Sequence, residues 1–162
     1  MKILSTLKAI SNFVDKIIMK LVFVSIVGMI ISISLQIFFR VFFDALTWSE
    51  EVSRYLLVWS TFLGATLAYK RSMHISVTFG VDFLKNKFRK AIIIINIFVC
   101  LIFFIVVVIF GFKYMAMQST QVSAALRMPM KWAYCVIPVS AIVMVIHGIT
   151  LMFEEIYSEE GM

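Results

Sequence analysis

Charge is what this sequence has least of. Only 15% of its 162 residues are Asp, Glu, Lys or Arg, against 62% hydrophobic, and the mean hydropathy is +1.02. A soluble domain of this size could not hide so much apolar surface, so the chain is an integral membrane protein. Cysteine is nearly missing: Cys100 and Cys135 lie inside separate apolar runs and form no C-x-x-C, which argues against thiol oxidoreduction and against a structural disulfide. The two histidines, His74 and His147, sit on different segments and make a poor case for a haem or metal centre. No glycine-rich phosphate loop, metal-ligand cluster or nucleophile elbow occurs, so neither enzyme chemistry nor a cofactor is expected.

The positive excess is not a nucleic-acid signal. The formal net charge is +6, yet the basic residues stand at the edges of apolar runs rather than along one solvated face. That placement is a topology signal, and no basic–aromatic stripe suited to single strands accompanies it.

In chain order, Ile3, Leu7, Ile10 and Val14 recur at steps of three and four over residues 2–16, which predicts a short amphipathic helix in the headgroup plane. The apolar run behind it is too long for a signal-peptide core and has no small-x-small cleavage site, so the start reads as an uncleaved signal anchor. Four spans follow, over about 21–39, 48–70, 91–112 and 133–153. Span one carries a small-residue edge, Ser25, Gly28 and Ser32, while span three carries none and is expected to face lipid. Residues 74–84 are too apolar for a free loop and too short to cross. They predict a segment on the inner interface with Ile75, Phe79 and Phe83 toward lipid or a partner. Pro129 is expected to break helix before span four.

Span two is the element around which the others are arranged. Thr47 and Glu50 have capping-box spacing, and Glu50 and Glu51 occupy the first turn, where exposed amides favour negative charge. Arg54 follows Glu50 by four residues, and no charge then appears until Lys70 and Arg71. Ser60, Gly64 and Ala68 form a smooth stripe that admits close approach of another helix, either from this chain or from another subunit. Trp59, placed mid-span rather than in the interfacial belt, points toward an intersubunit contact. The membrane-embedded charges, Arg40, Glu50, Glu51 and Arg54, all lie near one edge. They read either as a cap with a snorkelling or locally paired arginine, or as a clamp in which Arg40 bridges from span one to Glu50 or Glu51.

Lysine and arginine counts set the orientation. Ten basic residues flank the side holding both termini and the loop between spans two and three. The other side has four, Arg40, Lys113, Arg127 and Lys131, with Arg54 just inside the membrane. Both termini are therefore expected in the cytoplasm, with Trp48 and Trp132 together at the outer interface. A stand-alone four-helix secondary transporter acting as an oligomer is the alternative. It would need an ionisable group near mid-membrane, broken helices, repeats or a polar cavity. The spans show no internal symmetry, so the chain is not expected to carry a solute alone.

The residues carry a resemblance. Arg40 closes span one, then come Trp48-Ser49-Glu50-Glu51 with Arg54-Tyr55 and Phe62-Leu63-Gly64-Ala65. His74-Ile75 with Val77 follows the basic pair, and Met128-Pro129-Met130-Lys131-Trp132-Ala133-Tyr134 leads to Ile137-Pro138. From span one onward the chain resembles the small membrane subunit (DctQ/SiaQ family) of the tripartite ATP-independent periplasmic, or TRAP, transporters. Where that family's pattern has Asp soon after the valine of H-I-x-V, this chain has Thr78, with Asp82 further on. The resemblance implies an all-α membrane protein of the bacterial inner membrane, a single domain of four transmembrane helices plus short interfacial ones. It implies a large sodium-coupled elevator subunit as partner, a periplasmic substrate-binding protein, and an organic anion such as sialic acid or a dicarboxylate as cargo. On that footing Ser60, Gly64, Ala68, Trp59 and His74 are expected at the large subunit. Arg40, Trp48, Glu50, Glu51 and Arg54 would order the outer rim, and Lys113, Arg127 and Lys131 would meet the periplasmic protein.

Overall fold

The computed structural model describes residues 2–76 and 86–157, which are helical except for two connections and a one-residue break. The elements are α1 (Lys2–Phe42), α2 (Thr47–Ser76), α3 (Asn86–Met117), the single turn α4 (Lys131–Tyr134) and α5 (Val136–Tyr157). Among the described residues three stretches are long and apolar enough to cross a membrane: Leu4–Phe42, Lys90–Met117 and Lys131–Tyr157. α2, whose charge-free run is only Tyr55–Tyr69, is not among them. Of the segment expected at the inner interface, residues 77–84, including Thr78, Phe79, Asp82 and Phe83, fall outside the described residues.

The amphipathic stretch 2–16 and span one are not separate helices but one unbroken helix of 41 residues, about 60 Å long at ~1.5 Å per residue. Nothing between Lys16 and Leu21 breaks helix, and Ile18, midway, is buried in the core. Of the apolar positions at steps of three and four, Val14 lies against the buried cluster, Leu7 is half-buried and Ile10 is exposed, while the neighbouring Ser11 is 2% exposed.

α1 and α2 run antiparallel and are pinned at two levels. Ser32 Oγ donates to the Ser49 carbonyl at 3.0 Å, and Lys70 Nζ donates to Asn12 Oδ1 at 2.8 Å. Between them Gly28 lies against Leu56, so close that a Cβ there would stand 3.2 Å from Leu56 Cδ1. The edge Ser25–Gly28–Ser32 thus does what small residues do in lipid, where close backbone approach replaces the drive that water would supply. The core cluster is Ile18, Leu63, Leu67, Val136 and Val143, with Val58, Trp59 and Phe62 packed against it.

α5 is the central helix: half of its apolar window is buried, against 6% for α3. Pro138 sits in the first turn of α5, where its missing N–H leaves no helical bond unmade. α3 reaches α5 through glycines from both sides. Gly111 faces the Pro138 ring, and Gly148 faces Leu101, where a Cβ would fall 2.8 Å from Leu101 Cδ2 and 3.0 Å from the Tyr69 hydroxyl. The rest of α3 presents Ile95, Phe98, Ile102 and Phe103 outward, as expected of a helix without a small-residue edge.

Candidate docking face and the two polar ends of the bundle

The stripe Ser60, Gly64 and Ala68 is not used by the chain's own helices. Ser60 and Gly64 are half-buried, Ala68 is exposed, and a Cβ built on Gly64 would meet nothing within 4 Å. The buried side of α2 is a neighbouring face, that of Leu63, Thr66 and Leu67. Ser60 Oγ and Thr61 Oγ1 return their hydrogens to the Leu57 carbonyl, so the stripe presents no unspent hydroxyl donor at that level.

Trp59 does not share that face. Its ring packs on the core, and its Nε1–H donates to the Ala133 carbonyl at 3.2 Å, so its polar edge is committed within the chain. His74 lies in the last turns of α2, its side chain outside the described residues.

At one end of the bundle, hereafter the tryptophan end, Trp48 and Trp132 are both exposed, on elements joined by the Tyr55–Met130 and Trp59–Ala133 contacts. The clamp between spans one and two is not formed. Arg40 is exposed and makes no ion pair among the described residues, because both carboxylates have nearer partners. Glu50 Oε1 takes the Arg54 guanidinium at 2.8 Å, one turn along the same helix and largely exposed. Such a pair stabilises a helix only slightly.

Glu51 has a partner no local pattern announced. Its Oε2 accepts the backbone N–H of Ala125 at 2.9 Å and of Leu126 at 3.0 Å, while Oε1 accepts from the Tyr55 hydroxyl. The loop so held is a short hairpin. Ser123 N donates to the Met128 carbonyl, Met130 N donates to the Gln121 carbonyl, and Val122 and Pro129 face one another. At its tip Arg127 adopts φ 51°, the left-handed region that costs a side-chain-bearing residue energy. Beneath the hairpin a pocket of about 440 Å³ is lined by Glu51, Tyr55, Val58, Met130, Ala133 and Tyr134. Lys113 and Lys131 occupy the same end, each with its ammonium over an aromatic ring, Phe110 at 5.3 Å and Trp132 at 5.6 Å.

The opposite end, the lysine end, carries ion pairs between helices. Asp15 of α1 stands between Lys70 and Arg71 of α2, at 3.9 and 4.0 Å, and Lys8 lies 3.5 Å from Glu154 of α5. Behind them His147 is fully buried, its Nδ1 sharing a 2.8 Å hydrogen bond with Ser11 Oγ and its Nε2 without a partner. Among the described residues no group of three His, Cys, Asp or Glu is placed to hold a metal ion, and both cysteines are free.

Residues 29–157 match the family profile described as "Tripartite ATP-independent periplasmic transporters, DctQ component". The chain is 32% identical over 126 residues to the sialic acid TRAP transporter permease protein SiaT of Haemophilus influenzae (strain 86-028NP), covering 75% of this chain and 20% of that one. It is 26% identical over 110 residues to the sialic acid TRAP transporter small permease protein SiaQ of Vibrio cholerae serotype O1, covering 68% of this chain and 64% of that one. The chain thus matches one fifth of the first relative's length and just under two thirds of the second's. A profile match across most of the chain, on a helical bundle with long apolar helices, places it with the small permease components of the inner membrane: the chain belongs to the DctQ component family of the tripartite ATP-independent periplasmic transporters.

Proposed function

We propose that this chain is a fixed scaffold within a TRAP transporter and does not itself translocate a solute or catalyse a reaction. A large membrane subunit docks on the Ser60–Gly64–Ala68 face of α2. That larger subunit moves an organic anion, a sialic acid or a dicarboxylate, by sodium-coupled elevator motion, and a periplasmic binding protein delivers the anion to the tryptophan end. The observation that carries this reading is the uncovered stripe. A glycine with open space before it, on a helix otherwise packed on α1 and α5, is suited to close contact with a helix from outside the chain.

Four crossings with both termini cytoplasmic complete the reading. α2 is pinned antiparallel to α1 at both ends and supplies the fourth crossing, and the basic excess lies at the lysine end. His74 is assigned to the partner contact at the inner end of α2 by its position in the sequence. Trp59 stiffens the face from behind.

The test is Gly64→Leu in the chain co-expressed with the large membrane protein encoded beside it. The isolated variant should unfold at the same temperature as wild type, since its Cβ meets nothing, while copurification of the large subunit should fall severalfold. Unchanged stoichiometry would sink the docking assignment.

A further inference from the structure

At the lysine end α1, α2 and α5 converge on an open cavity of about 390 Å³ lined by charges of both signs. The ionic contacts around it are long: 3.5 Å for Lys8–Glu154, 3.9 Å for Lys70–Asp15 and 4.0 Å for Arg71–Asp15. Charge-assisted N–H···O bonds close to about 2.7–2.9 Å, so these groups face one another across the space instead of bonding. Asp15 Oδ1 is buried and accepts no hydrogen bond. Lys70 already donates to Asn12 Oδ1 and to the Ser11 carbonyl, whereas Lys8 and Arg71 have side chains 47% and 59% exposed. Three cations thus surround two carboxylates, one of which still needs a donor.

The height of the cavity is set by the same residues. Lys70 closes the charge-free run of α2 and Glu154 that of α5, so on the four-crossing reading proposed above the cavity lies where these helices leave the hydrocarbon and meet headgroups. From its α1 wall, Met19, Phe23, Ile26 and Ile30 continue at helical spacing along one face toward mid-span, and all four are exposed. An acyl chain has an apolar track leading directly from the charged cavity.

We infer that this cavity holds the phosphoethanolamine headgroup of a phospholipid. The primary ammonium donates to Asp15 Oδ1 and Glu154, the phosphodiester accepts from Arg71 and Lys8, and the acyl chains follow the Met19–Ile30 track. The carboxylate demands N–H hydrogens, which a quaternary trimethylammonium cannot give. The excess cation demands a phosphate, and a headgroup with phosphate but no amine leaves Asp15 opposed by like charge. The assignment is independent of what docks on α2.

Native mass spectrometry of the full-length chain in detergent, titrated with phosphatidylethanolamine, phosphatidylcholine and phosphatidylglycerol of matched acyl chains, reads the preference directly. Retention of phosphatidylethanolamine should exceed that of phosphatidylcholine by about tenfold, the worth of one charge-assisted hydrogen bond. Asp15→Asn should bring that ratio toward one. Arg71→Gln, at an exposed position that leaves the packing intact, should weaken all three lipids. Soluble glycerophosphoethanolamine should bind far more weakly; binding as tight as the lipid's would overturn the lipid assignment. Equal retention of the ethanolamine and choline lipids by the wild-type chain would overturn the site itself, whether or not Asp15→Asn folds.

Discussion

Glu51 holds Leu126. The Glu51 carboxylate, near the start of α2, accepts the Leu126 amide hydrogen at 3.0 Å, and that of Ala125 at 2.9 Å, from a loop some 75 residues further along the chain. One acidic side chain thereby ties the hairpin before α4 to the head of α2 and fixes the wall of the pocket beneath it. The Arg54–Glu50 pair, by contrast, joins residues one turn apart on α2 and ties no second element to it.

The cradle predicts a graded response. In Glu51→Ala the Ala125 and Leu126 amides lose their acceptor and should exchange with deuterium much faster than in wild type, while Glu51→Gln, which keeps one acceptor oxygen, should fall between. Arg54→Ala should leave these amides unchanged. Equal protection in Glu51→Ala and wild type would show that the hairpin stands without the carboxylate.

The approach of α3 to α5 depends on the absence of a side chain at Gly148. Gly148→Ala places a Cβ 2.8 Å from Leu101 Cδ2 and 3.0 Å from the Tyr69 hydroxyl, so the Leu101 side chain or its helix must give way. A loss of about 1–3 kcal/mol is expected, read as a lower unfolding temperature in detergent. Gly64→Ala, facing open space, serves as the control, and an equal effect at both positions would contradict the packing described.

His147 and Ser11 form a buried pair whose breakage leaves an orphan. Ser11→Ala removes the only hydrogen-bond partner of the imidazole, since Nε2 has none, and should cost about 1–3 kcal/mol. Ser11→Ala combined with His147→Leu should recover part of that loss, because neither polar group then remains unpaired. Additive losses in thermal unfolding would argue against the pair.

Lys113, Arg127 and Lys131 carry the basic charge of the hairpin end. If an acidic surface of a periplasmic protein meets them, reversing all three charges should slow uptake by the assembled transporter and abolish its salt dependence. Unchanged uptake with unchanged salt dependence would reduce these residues to anchors of helix ends.

The membrane class, the helices and the shared end of Trp48 and Trp132 were legible because each is a local pattern: apolar run length, small residues at steps of three and four, charges at helix ends. The Ser25–Gly28–Ser32 edge met a helix, as its spacing foretold. What was not legible depends on the register of one helix against another. Glu51 and Leu126 are neighbours only once the hairpin is folded, and Asp15 meets Lys70 only because α1 continues as one helix through Lys16–Lys20. The Arg40 bridge failed for the same reason: charge type alone cannot show that Glu50 and Glu51 have closer partners. The bond from the Trp59 indole N–H to the Ala133 carbonyl likewise joins residues that only the folded bundle brings together.

Reconstitution decides the central claim most directly. Proteoliposomes containing this chain alone, supplied with an inward sodium gradient and labelled sialic acid or dicarboxylate, should show no uptake above empty vesicles. Addition of the large membrane subunit and the periplasmic protein should restore it. Sustained uptake by the purified chain with no other protein present would contradict the scaffold account.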